Sequence, residues 1–79
     1  MNSVMPRYKN LSGNSRIAAY EIGEDFIKIQ FHDDGIYLYN SHSAGWPSIE
    51  TMKRLAEDGK GLNTFVDTYV KKRYAQKVK

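Results

Sequence analysis

The sequence predicts an α+β domain, a three-stranded antiparallel sheet followed by two helices packed on its aliphatic face. Three observations lead there. Between Ser15 and Asn40, three short runs rich in β-branched and aromatic residues follow one another, separated by turn-forming Gly and acidic residues. From Pro47 onward the apolar residues recur at helical spacing instead. Finally, 79 residues without a cysteine hold one small core, with no disulfide or thiolate metal site to staple it. A chain of this length buries only about 60% of its unfolded surface, so self-association into a homo-oligomer is an expected way to bury more.

The elements follow in order. Residues 1–13 carry Pro6, Asn10, Ser12 and Gly13 without periodicity and read as an N-terminal arm. "SRIAAYEI" is a first strand and "FIKIQFH" alternates as a second. Asp34-Gly35 is a strong signal for a two-residue hairpin turn, with "IYLYN" as the third strand. In that register Asp33 faces Ile36, His32 faces Tyr37, Phe31 faces Leu38 and Gln30 faces Tyr39. One face then gathers Ile27, Ile29, Phe31, Ile36 and Leu38, and Tyr37 and Tyr39 point away from it. "SHSAGW" reads as a loop. Pro47 opens a helix whose apolar stripe is Ile49, Met52, Leu55 and Ala56, and Gly59 ends it. Asn63 is placed to cap a second helix with Leu62, Phe65, Val66, Tyr69, Val70 and Tyr74 along one stripe. The main domain is thus expected over 14–75, with 76–79 as a basic tail.

Charge is unevenly laid out. Residues 1–16 hold three cations and no acid, 17–58 hold eight acids against three cations, and 59–79 hold six cations against Asp67 alone. The acidic turns between strands leave no continuous basic track for a polymer lying across the sheet. No apolar run approaches the ~18 residues a membrane span needs, and "MNSVMPR" lacks a hydrophobic signal region. A cytoplasmic protein without a membrane partner is expected.

No catalytic arrangement stands out. His32 and His42 lie near Asp33 and Asp34, but no second ligand pair at helical spacing supports a metal. "GKGLN" lacks the spacing and the Ser/Thr of a phosphate loop, leaving Lys60 beside a helix start as its anion-binding content. No metal, no cofactor and no enzyme activity are therefore expected. Tyr37 and Tyr39, with Phe26 and beside Lys28 and Gln30, form a strand face of the kind that stacks bases. Lys60, Asn63 and Arg16 would then hold phosphate.

The run "NSRIAAYEIGEDFIKIQFHDDGIYLYN" and, after one helix, "GKGLNTFV" resemble the KTSC domain, named for its occurrence at the C-terminus of some lysyl-tRNA synthetases. The matching features are Ser15, Ile17 and Tyr20, the strand Gly35 to Tyr39, and the Gly61-Leu62-Asn63 link into a last helix. The resemblance implies a small antiparallel sheet followed by helices. It also implies two kinds of partner: RNA, through the synthetase association, and a small nucleotide signal, through free-standing forms in bacteria and their viruses. The expectation is a non-enzymatic binding module for a phosphate-bearing nucleotide, which it would sequester. The alternatives are an RNA-binding module and a protein-interaction or self-association module.

Overall fold

The computed structural model describes residues 5–79, so the first four residues of the arm lie outside it. Strands β1 (Ile17–Ile22), β2 (Phe26–Phe31) and β3 (Gly35–Asn40) form an antiparallel sheet in sequence order, with a bulge between Ile17 and Ala19. A fourth strand, β4 (Gln76–Lys77), pairs with β3, so the sheet has four strands and the basic tail belongs to it. The Lys79 carbonyl lies where a Cβ on Gly35 would stand, and the Ile36 amide donates to it. Only a glycine admits that approach.

The β2–β3 register differs from the sequence expectation. Phe31 pairs with Gly35, Ile29 with Tyr37 and Ile27 with Tyr39, across a three-residue turn of His32, Asp33 and Asp34. Gly35 takes the positive φ of 93° that such a turn requires at its exit. Tyr37 and Tyr39 therefore share the face of Ile27, Ile29 and Phe31, while Ile36 and Leu38 join Lys28 and Gln30 on the other. A tyrosine buries ~150–250 Å² and can keep its hydroxyl paired at the core's rim, which Ile36 and Leu38 cannot match. Tyr39 is 2% exposed, with its hydroxyl donating to the Lys71 carbonyl at 3.2 Å.

Helices cover the tyrosine-bearing face. Asn40 and Ser43 form a reciprocal cap for the short α1 (Ser41–Ala44), in the segment expected as loop. Next, α2 (Trp46–Asp58) carries Pro47 in its first turn and ends at left-handed Gly59, as expected; its Ile49, Met52 and Ala56 are buried. Helix α3 (Leu62–Phe65) continues as a π-helical turn, Val66–Val70, and stops at Lys71. Leu62, Val66 and Val70 enter the core, whereas Tyr69 is 65% exposed and Tyr74 lies beyond the helix. The single continuous stripe expected there is thus broken by the wider π turn.

The arm is part of the fold rather than a lead-in. Tyr8 is buried in the core, and its hydroxyl accepts from the Leu62 amide at 3.2 Å. The Tyr8 amide donates to the Ala18 carbonyl at 2.9 Å, and the Tyr20 amide to the Pro6 carbonyl at 3.0 Å. These bonds cover the outer edge of β1, as β4 covers that of β3, so neither edge invites strand addition.

Candidate functional site

A cleft of about 230 Å³ opens where β2 and β3 meet the π-helical turn and the segment leading into β4. Its aromatic lining comes from Phe31, Tyr37, Tyr74 and the buried Tyr39. Tyr74 meets Tyr37 edge-on at 4.7 Å between centroids and Tyr39 at 6.3 Å. Phe31 meets Tyr37 at 5.7 Å. Tyr74 can reach this place because the helix ends at Val70 and the chain turns back toward the Leu38 carbonyl, which takes a bond from Ala75.

The charged wall comes from Arg16, Lys71 and Lys72. Arg16 lies 5.4 Å from the Phe31 centroid, and its guanidinium is 3.5 Å from Asp67. Both groups of that pair are half exposed, so the pair fixes geometry more than it adds stability. Neither Lys71 nor Lys72 forms an ion pair among the described residues. Two carboxylates also face the cleft, each engaged by a cation: Asp67 by Arg16, and Asp34 by Lys77 at 3.7 Å.

Asn63 acts behind this wall. Its Oδ1 accepts from the Arg16 amide at 2.7 Å and from the Ser15 hydroxyl at 3.0 Å, while its Nδ2 donates to Asp67 at 2.9 Å. It ties the start of β1 to α3 and orients the Arg16–Asp67 pair. The helix cap expected of it falls to Gly61.

Of the residues selected from sequence, Arg16, Tyr37 and Tyr39 come together, although Tyr39 serves mainly as core. Lys60 is exposed on the α2–α3 link, outside the cleft. Lys28 stands on the opposite sheet face, 3.9 Å from Glu21 and 5.9 Å from the Phe26 ring centroid. The hairpin register is the reason: with three turn residues, Lys28 and the tyrosines occupy opposite faces. Phe31, Asp34, Asp67 and Tyr74 were not selected. The basic run Lys71-Lys72 was visible as charge, but its neighbours were not.

The two phenols differ in setting. The hydrogen bond to Asp34, at 2.9 Å, together with partial burial, holds the Tyr37 phenol above its ordinary value. Burial pushes Tyr39 up to about 12. Folding thus favours the neutral Tyr39 phenol. Its contribution is complete below the ordinary value near 10 and is lost as pH rises through about 12. Urea melts of the native protein and Tyr39→Phe across that range should show a smaller alkaline loss in the variant. The phenylalanine should itself cost about 0.5–1.5 kcal/mol at neutral pH for the lost hydrogen bond. Parallel alkaline losses would remove Tyr39 as a contributor.

Among the described residues no group of three or more His, Asp or Glu side chains gathers as a metal site, and no helix is long and apolar enough to cross a membrane. The fold and cleft define a small α+β domain with one aromatic, cation-rimmed recess. Comparison with family models, with curated proteins and with solved structures found no match.

Proposed function

We propose that this protein is a non-enzymatic binding module, of the KTSC kind, that holds a phosphate-bearing nucleotide in the cleft beneath Tyr74. The observation that carries this reading is the convergence of Phe31, Tyr37 and Tyr74 with Arg16, Lys71 and Lys72 on one recess. Aromatic faces accept a base by stacking, and Lys71 and Lys72, which form no ion pair among the described residues, can accept its phosphate. A volume of about 230 Å³ is small beside the ~300–1,000 Å³ of sites that enclose drug-sized ligands. It suits one base with its phosphate outside better than a length of RNA. Sequestration of a small nucleotide signal is the corresponding role.

Calorimetric titration with nucleoside monophosphates, cyclic dinucleotides and RNA oligomers of increasing length tests the proposal. Affinity should saturate at one or two nucleotides and fall only shallowly with salt, because few phosphates are neutralised. Tyr74→Ala should weaken binding by roughly tenfold or more, since a stacked base is worth about 1–3 kcal/mol. Affinity that keeps rising with RNA length, with a steep salt slope, would move the assignment to RNA.

The self-association reading has its own support. The sheet face without helices presents Phe26, Ile36 and Leu38, with Val78 42% exposed. Sedimentation equilibrium at micromolar concentrations separates the two readings. A dimer lost in Leu38→Lys, with no nucleotide binding, would favour an interaction module.

A further inference from the structure

A second concavity, of about 460 Å³, lies between the N-terminal arm and β1 and shares no lining residue with the cleft. Arg7, Lys9, Asn10 and His32 surround it, over a floor of Ile17 and Ala18, and no carboxylate takes part. The geometry points to a separate phosphate-binding site held by Arg7, Lys9 and His32, taking a phosphate monoester or diester group.

The arm gives this basic cluster a defined shape. Burial of Tyr8, with its hydroxyl on the Leu62 amide, turns the flanking Arg7 and Lys9 outward together, as alternation in an extended segment requires. Backbone bonds Tyr8 to Ala18, Tyr20 to Pro6 and Leu11 to Gly59, the last at 2.7 Å, pin the segment on both sides. His32 is placed by its own amide, which donates to the Arg16 carbonyl at 2.9 Å. The two arm cations are therefore held on a surface that is already folded, so little ordering accompanies binding.

Arg7, Lys9 and His32 form no ion pair among the described residues, whereas Arg16, Lys28, Lys53 and Lys77 each have a carboxylate. Asn10 spends its side-chain oxygen on the Ser15 amide at 3.1 Å, which leaves its NH₂ group as a donor. A lining of a guanidinium, an ammonium and an amide NH₂, without acids, matches tetrahedral phosphate oxygens and repels nothing anionic.

Amide chemical shifts of the ¹⁵N-labelled protein, followed while inorganic phosphate or an oligonucleotide with hydroxyl ends, whose only phosphates are diesters, is added at constant ionic strength, test the site. Saturable shifts are expected at Arg7 to Asn10 and at His32. The exchange R7Q/K9Q should weaken the response about tenfold or more, whereas K71Q/K72Q should leave it unchanged. Saturation by inorganic phosphate identifies a free phosphate or monoester as the ligand, and saturation by the oligonucleotide alone identifies a backbone diester. Equal shifts with sodium chloride, saturation by neither probe, or full retention in R7Q/K9Q would overturn the proposal. Failure of mononucleotides to bind in the Tyr74 cleft would not bear on it, because the two sites share no lining residue and the response is read at Arg7 to Asn10 and His32.

Discussion

Tyr39→Ala should lose about 3–5 kcal/mol of stability, the range for removing a buried aromatic from a core. A domain of this size has only about 4–12 kcal/mol in total, so the variant should lose a large fraction of its stability. The ring is 2% exposed among Ile27, Met52 and Val70, and its hydroxyl satisfies the Lys71 carbonyl where the last helix ends. Its loss would open a cavity and also release the turn that presents Lys71 and Lys72. Urea denaturation followed by far-ultraviolet circular dichroism gives the answer. A midpoint close to that of the native protein would mean that the ring is a surface platform, as the two-residue turn implied. Leu38→Ala provides the matched comparison. It removes a residue of similar apolarity from the half-exposed face and should cost well under half as much.

Tyr8→Ala is the second large effect, expected at about 3–5 kcal/mol for the same physical reason. It would also leave the buried Leu62 amide without its acceptor. The arm should then detach from β1 and expose that edge. Hydrogen exchange provides a reading specific to this prediction. The Tyr20 amide, which donates to Pro6 at 3.0 Å, should lose protection more than the Ile27–Tyr39 ladder does. If truncation of residues 1–10 left the melt unchanged, the arm would be an attachment and not a part of the core. Retained binding at the Tyr74 cleft in a folded Tyr8→Phe protein would place the arm outside that site.

The sheet-then-helix order, the three strand positions, the Pro47 start, the Gly59 stop and the basic layout of both ends followed from residue type and spacing alone. Those features depend on local physics: alternation, turn chemistry and capping act within a few residues of one another. The candidate site was legible only in parts, as two tyrosines, Arg16 and a basic run that no local rule joins. The face those tyrosines occupy was settled by one residue of hairpin length, because a shift of one moves every side chain of β3 across the sheet. Asp34-Gly35 permits either turn. The longer turn prevails through the tertiary gain of burying Tyr39 under α2 and the π-helical turn, with its hydroxyl paired at the rim. The arm and tail were equally beyond local reading. Tyr8 and Gln76–Lys77 find their partners in Ala18, Leu62 and β3, residues remote in the chain whose contact exists only once the core has closed.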